Sequence, residues 1–252
     1  MIQLFWIVVC ILLWIFFLTI ALPITITLQL SQTFRAFFFP YAYLYLIFPL
    51  LESQAVSVRK KTFELLKDSL VGRDHSKPLE ALEIGIGGGA NLHHYPDNCN
   101  LTVLDKNKFF EPHFKQNAKN YPHINYKKTV IQPAENMTEI QDNSMDIVVT
   151  TYFLCSCDNS DEVLKEIIRV LKPEGKYVCM EHDSFPENTI GLYVQRFLSP
   201  LTYLYANGCN PCTQPAKVIK RAGFSQVICK ECILTHWTIY PIKHHLVALA
   251  TK

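Results

Sequence analysis

Hydrophobic positions fall into three regimes along this chain. From Met1 to Leu51 they are nearly continuous, and Arg35 is the one charged side chain. The stretch Leu4 to Leu30 exceeds the roughly 20 apolar residues a helix needs to cross a bilayer. Pro23 is placed to kink or end it. A second run, Ala36 to Leu51, carries Pro40, Pro49 and several tyrosines. That composition suits an interfacial or re-entrant segment better than a full crossing. Residues 1–51 therefore read as a membrane anchor, one inserted segment followed by an interfacial one, or a hairpin of the two. Residues 52–78 form a linker. Val56, Phe63, Leu66 and Leu70 recur there near helical spacing, and Gly72 ends the helix. From residue 79 to 252 the period alternates between two and 3.6. Strands are expected at 80–84, 100–104, 124–130, 146–151, 176–181, 225–233 and 244–250. Helices are expected at 88–94, 107–119, 159–171, 188–205 and 213–222. Such alternation predicts an α/β domain with a mostly parallel sheet and helices on both faces. The last two strands lack a helix between them and should pair antiparallel.

Charge and cysteine content narrow the picture. The 252 residues carry a net charge of +2, with no basic stripe interleaved with aromatics, so nucleic acid is not an expected partner. The nine cysteines are odd in number, in a chain long enough to build a core without staples. A reducing compartment follows. The apolar run is longer than a signal peptide's and lacks a basic leader and a small-residue cleavage site. Arg35 and the Arg59-Lys60-Lys61 cluster lie after that run, which orients the folded domain toward the cytosol. The same cluster suits either anionic lipid heads or a solvated helix face. Asn136-Met137-Thr138 is a glycosylation sequon inside the expected core and should go unused.

The chemistry is concentrated in Leu82-Glu83-Ile84-Gly85-Ile86-Gly87-Gly88-Gly89, with Asp105 following the next apolar run. A strand running into glycines lets a ligand approach the backbone closely. An acidic residue about 20 positions on can accept hydrogen bonds from ribose hydroxyls. The spacing is E-x-G-x-G-x-G, not the dinucleotide G-x-G-x-x-G. It resembles the first motif of the S-adenosylmethionine-dependent methyltransferases. Further on, Glu135-Asn136-Met137 with Asp142-Asn143-Ser144-Met145-Asp146-Ile147-Val148-Val149 resembles that family's A-E-x-L-P-F-x-D-x-S-F-D-x-V. Val163 to Gly175 resembles V-L-x-E-I-x-R-V-L-K-P-G-G. The implied fold is the class I methyltransferase (Rossmann-like) seven-stranded sheet with one reversed strand at its end. A narrower resemblance rests on Phe39-Pro40-Tyr41, Asn91-Leu92, Tyr95-Pro96, Leu154-Cys155-Ser156 and Glu181-His182. It is to small membrane-anchored methyltransferase-like proteins of the endoplasmic reticulum and lipid droplets. That resemblance implies a thiol S-methyltransferase on the endoplasmic reticulum membrane or lipid-droplet surface. Small lipophilic thiols or hydrogen sulfide would be the acceptors and S-adenosylmethionine the donor. Two rivals share the same core: an O- or N-methyltransferase for a quinone or other lipid, and a catalytically weak membrane scaffold. Gln132-Pro133 and Glu174 depart from the wider family's pattern.

Roles follow residue by residue. Gly85, Gly87 and Gly89 should hold the amino-acid end of the cofactor, with Glu83 on its ammonium. The competing reading of Glu83 is a capping or solvent-facing carboxylate. Asp105 is expected on the ribose, or else as an N-cap for the helix near Asn107. Glu135 and Met137 should border the adenine, Met137 serving equally well as plain core. Tyr152 and Cys155 follow the fourth strand and should line the acceptor pocket. His182 ends the fifth strand, where it would assist thiol deprotonation or serve as a structural histidine. Cys209, Cys212, Cys229 and Cys232 have a zinc-like spacing. The second pair falls in an expected strand, where residues three apart point to opposite faces, so no metal is expected.

Overall fold

In the computed structural model, residues 1–74 and 76–252 are described. Seven strands form one sheet in the order β3-β2-β1-β4-β5-β7-β6. They are β1 (Leu79–Ile84), β2 (Cys99–Leu104), β3 (Ile124–Val130), β4 (Met145–Thr151), β5 (Leu171–His182), β6 (Gln226–Ile233) and β7 (His244–Thr251). The first five are mutually parallel, and β7 runs antiparallel to both of its neighbours. The reversed strand thus sits one place in from the edge. The β6–β7 hairpin folds back so that β7 fills the gap between β5 and β6.

The strand expected at 176–181 begins earlier, so Pro173 and Gly175 lie within β5. The pairing of β4 with β5 jumps from Met145↔Leu171 to Ile147↔Lys176, and Glu174 takes a φ of 63° there. The chain bulges out and rejoins the strand, a detour that periodicity alone does not reveal.

One sheet face carries Leu82, Ile84, Val148, Tyr177 and Ala248. It is covered by α6 (Ser160–Val170) and α8 (Pro215–Arg221). Helix α6 buries Val163, Leu164, Ile167 and Val170, and Asn159 caps it by accepting from the Asp161 and Glu162 backbone N–H groups. The other face carries Ala81, Leu101, Val103, Ile147 and Val149, packed with Phe63 and Leu66 of α4 (Phe48–Ser69) and Phe114 of α5 (Glu111–Ala118). The helix expected over 88–94 is instead a turn followed by one 3₁₀ turn, Leu92–His94. Gly87 and Gly89 adopt positive φ, which a helix excludes.

The N-terminal region is wholly helical. Helices α1 (Ile2–Leu18) and α2 (Leu22–Leu30) meet at a 78° bend, with Pro23 in the first turn of α2. Next come α3 (Gln32–Ala42), a π-helical turn at Tyr43–Ile47, and α4. From Gln32 to Ser69 these make one helical run of 38 residues, long and apolar enough to cross a membrane. The boundary drawn at residue 51 lies inside α4. Pro49 opens α4, and the Ala36 carbonyl that Pro40 leaves without an intrahelical donor accepts from Asn107 Nδ2 at 2.8 Å.

The N-terminal helices are also packed onto the rest of the molecule. Cys10, Leu13, Trp14 and Phe17 of α1 meet Val194, Leu198 and Leu201 of α7 (Ile190–Tyr205). Trp6 Nε1 donates to the Trp237 carbonyl at 2.9 Å, and Trp14 Nε1 to the Phe197 carbonyl at 3.1 Å.

Candidate active site

The carboxyl ends of β1, β2, β4 and β5 meet at one edge, and the candidate residues gather there. Gly85 follows β1 at φ 77° and donates its N–H to the Leu104 carbonyl. A Cβ on Gly85 would stand 2.7 Å from Phe153 Cδ2, and one on Gly87 would stand 3.2 Å from the Tyr43 ring. Leu44 lies equally close over Gly88. The glycine loop is therefore roofed by the N-terminal π turn on one side and by the β4 loop on the other. Asn117 Nδ2 ties the loop down by donating to the Gly88 and Gly89 carbonyls.

A cavity of about 100 Å³ lies between these roofs, lined in part by Gly85, Gly87, Asp105, Tyr152, Phe153 and Ser156. Asp105 is 9% exposed. Its carboxylate accepts from the Ile86 N–H at 3.2 Å and the Asn107 N–H at 2.8 Å. Burial pushes its pKa up to about 6 against those two hydrogen bonds. The 3₁₀ turn at Lys108–Phe110 is capped by the Asn107 side chain, so the N-cap role considered for Asp105 belongs to its neighbour.

Glu83 lies beneath the loop at 1% exposure. One carboxylate oxygen accepts from Asn91 Nδ2 and the other from the Tyr95 hydroxyl, both at 2.9 Å. The Asn91 amide oxygen in turn accepts from Arg59 Nη1, and Arg59 pairs with Glu52 at 2.7 Å. Burial raises the Glu83 pKa to about 7, opposed by the Tyr95 and Asn91 hydrogen bonds and the Arg59 charge. Glu83 is neither solvent-facing nor a helix cap. It joins the glycine loop, through Asn91 and Arg59, to α4.

The β4–β5 side of this edge is built on Glu181, which the motif named only as a neighbour of His182. One oxygen of its buried carboxylate accepts from Thr150 Oγ1 and from the Phe153 and Leu154 backbone N–H groups, each at 3.1 Å. Its pKa rises to about 7 through burial. These bonds hold Tyr152 at φ 54°, a left-handed conformation that costs a bulky residue about 1–2 kcal/mol. The Tyr152 ring stacks on His182, with centroids 4.4 Å apart and planes at 21°. His245 sits edge-on to Tyr152, and burial lowers the His245 pKa to about 3. A second small cavity joins Tyr152, His182 and His245 to Ala55 of α4.

Cys155 is buried with its Sγ 3.5 Å from Cys209 Sγ. Its thiol is pushed up by its hydrogen bond to Cys209 and by burial. Cys209 is held well below the usual thiol range, first by the Cys155 hydrogen bond and then by His182. The loop after α7 delivers Cys209. Asn207 and Gly208 have positive φ, and the Asn210 N–H donates to the Cys155 carbonyl at 2.8 Å. Nothing in the spacing of Cys155 and Cys209 announces this pairing, because it needs the β4 and α7 loops to meet.

Two expected site residues stand apart from the cavity. Met137 is fully buried in the main core, its N–H donating to Glu166 and its carbonyl accepting from Arg169. Of its two readings, the structure shows the core one. Glu135 accepts from the Asp158 and Asn159 N–H groups and organises the loop before α6. Among the other cysteines, Cys229 packs on the main core and Cys232 on the α4 side, so the spaced pairs do not converge. A cavity of about 780 Å³ lies between α4 and residues 93–97, away from the glycine loop.

Comparison with known proteins agrees with this geometry. A methyltransferase domain family model matches residues 82–179. Thiol S-methyltransferase TMT1B of Homo sapiens is 31% identical over 210 residues, 83% of this chain and 84% of that protein. The Rattus norvegicus TMT1B is 36% identical over 68% of this chain and 69% of its own length. Thiol S-methyltransferase TMT1A of Homo sapiens is 36% identical over 60% of this chain and 62% of its own length. Among solved structures, the DszA carbon methyltransferase superposes with a TM-score of 0.65 at 16% identity. That match covers 85% of this chain and 59% of the other, and shows the shared fold. On these grounds the chain belongs to the thiol S-methyltransferase family of class I S-adenosylmethionine-dependent methyltransferases.

Proposed function

We propose that this protein transfers a methyl group from S-adenosylmethionine to small lipophilic thiols at a membrane surface. The observation that carries the reading is the edge where Gly85, Gly87 and Asp105 face Tyr152 and Phe153 across one cavity. The residues fit the donor. The glycine loop presents backbone where a Cβ would clash, and Asp105 offers a buried carboxylate at the mouth for ribose hydroxyls. Adenosine is larger than the cavity, so binding displaces the Phe153 and Tyr43 rings that roof the loop. Glu83 acts through the loop it anchors, and Glu135 borders the adenine side through the loop it organises.

When bound, the cofactor supplies an electrophilic methyl sulfonium. The chain's own residues orient the acceptor and exclude water. A thiol needs only to lose a proton from a pKa near 8.5, so alignment is the main demand. Tyr152 and Cys155 shape the acceptor side, and His182 lies beside them to favour the thiolate.

Membrane attachment through residues 1–51 is part of the same reading. It is supported by the exposed Leu4, Ile11, Ile15 and Leu50, continued on α7 by Ile190, Tyr193 and Phe197. Such an apolar surface suits a lipid bilayer or lipid-droplet surface. The resemblance to endoplasmic reticulum proteins supports that membrane as the address, with the catalytic face toward the cytosol. Calorimetric titration with S-adenosylmethionine and flotation with phospholipid vesicles test the two halves. Absent binding, or failure to float, contradicts the corresponding half.

A further inference from the structure

We infer that Cys155, His182 and Cys209 form a three-ligand site for a thiophilic d¹⁰ divalent ion, with Zn²⁺ the ion of choice. Their ligand atoms all lie within 4.8 Å of one another. A tetrahedral zinc binding two thiolates at about 2.3 Å would separate the sulfurs by roughly 3.8 Å. The observed separation is 3.5 Å.

The site is built rather than adventitious. His182 is 6% exposed, and its Nδ1 is buried without a hydrogen-bond partner among the described residues. Tyr152 stacking fixes the plane of the ring. The loop bearing Cys209 is pinned to Cys155 itself through the Asn210 N–H. Two thiols and an imidazole are a donor set that selects zinc over oxygen-preferring cations. The site differs from the four-cysteine arrangement suggested by spacing, since only Cys209 is shared.

Three protein ligands leave one tetrahedral position open, as in catalytic zinc sites. Cys155 adjoins Tyr152 and Ser156, both of which line the cavity beside the glycine loop. Resting on the proposed function, the open position is assigned to the acceptor thiol. The thiol binds as thiolate, and its proton passes to solvent. A sulfur lone pair then forms the new S–CH₃ bond while the methyl–sulfonium bond breaks toward the donor sulfur. Neutral thioether leaves, and the ion keeps its charge.

The test uses the full chain in mild detergent with a non-thiol reductant. Co²⁺ is titrated as a spectroscopic stand-in for Zn²⁺, with no methyl donor present. One equivalent should produce a thiolate-to-cobalt charge-transfer band that Zn²⁺ abolishes. Cys155→Ser and Cys209→Ser should each halve the band and weaken Co²⁺ binding more than about tenfold, whereas Cys229→Ser should leave both unchanged. Retained S-adenosylmethionine binding shows that each variant is folded. Absence of the band, or a band indifferent to Cys155 and Cys209, overturns the site. With cobalt bound, an alkyl thiol should shift the band, and an unshifted band overturns the acceptor assignment. Because no methyl transfer is read, failure here is separate from failure of the proposed activity.

Discussion

The Tyr152 ring lies 4.4 Å from the His182 ring and nearly parallel to it, while its own backbone is held at φ 54°. The ring contact and the strain belong together. Glu181 clamps the two N–H groups that follow Tyr152, and the Tyr152 N–H donates to Met180 at 2.7 Å. Tyr152 thus meets the His182 ring from a strained backbone conformation.

Tyr152→Phe should keep the stack and change acceptor KM by less than about threefold. Tyr152→Ala removes a ring pair worth about 0.5–1.5 kcal/mol. It should raise acceptor KM up to about tenfold with the cofactor Kd unchanged. Steady-state kinetics with calorimetry separate the two effects.

Asp105→Asn should leave the loop folded, because an amide oxygen still accepts from Ile86 or Asn107. It removes the charged acceptor for the ribose, where each hydrogen bond contributes about 1.5–3 kcal/mol. Cofactor affinity should fall by tenfold or more in calorimetry. Unchanged affinity would remove the ribose role.

Glu83 gives a pH signature. Its folded pKa, about 7, lies above the ordinary glutamate value of 4.5 because of burial. Between those values the folded state binds more protons than the unfolded one, so this group's contribution to stability falls as pH rises. Glu83→Gln should flatten that decline between pH 4.5 and 7, a difference of up to about 3 kcal/mol. Denaturant melts of both proteins across that window measure it. A variant curve parallel to wild type contradicts a raised Glu83 pKa.

Removing residues 1–30 should weaken vesicle binding, leaving the Gln32–Ser69 run to hold the chain, and also harm the folded domain. It uncovers Val194, Leu198 and Leu201, which α1 now covers. Sedimentation should show self-association of the truncated chain, with its melting temperature lowered. A monodisperse truncation with unaltered melting would make the anchor a detachable appendage.

How far the sequence was legible follows from range. The seven strands, the helix expected over 159–171 and the run of Gly85 to Asp105 across two adjacent strands are local patterns, and each is present in the structure. The turn at 88–91 differs from the expected helix because Gly89 within it and Gly87 just before it take positive φ, a property no hydrophobic pattern carries. Long-range pairings were illegible. Arg59 reaching Asn91, Glu181 clamping the β4 loop and Cys209 meeting Cys155 join residues 27 to 54 positions apart through loops. Tyr43 lies over Gly87, so the N-terminal helices pack against the glycine loop, which a division at residue 51 concealed.

The central claim concerns sulfur. The direct measurement supplies S-adenosylmethionine with a deuterated methyl to the membrane-bound protein, together with an alkyl thiol, a phenol and an amine in equal amounts. Products are read by mass. Label appearing in the thioether, abolished by Asp105→Asn at limiting cofactor, is the expected result. Label in the phenol ether or methylamine with none in the thioether would contradict thiol methylation and leave only the fold-level assignment standing.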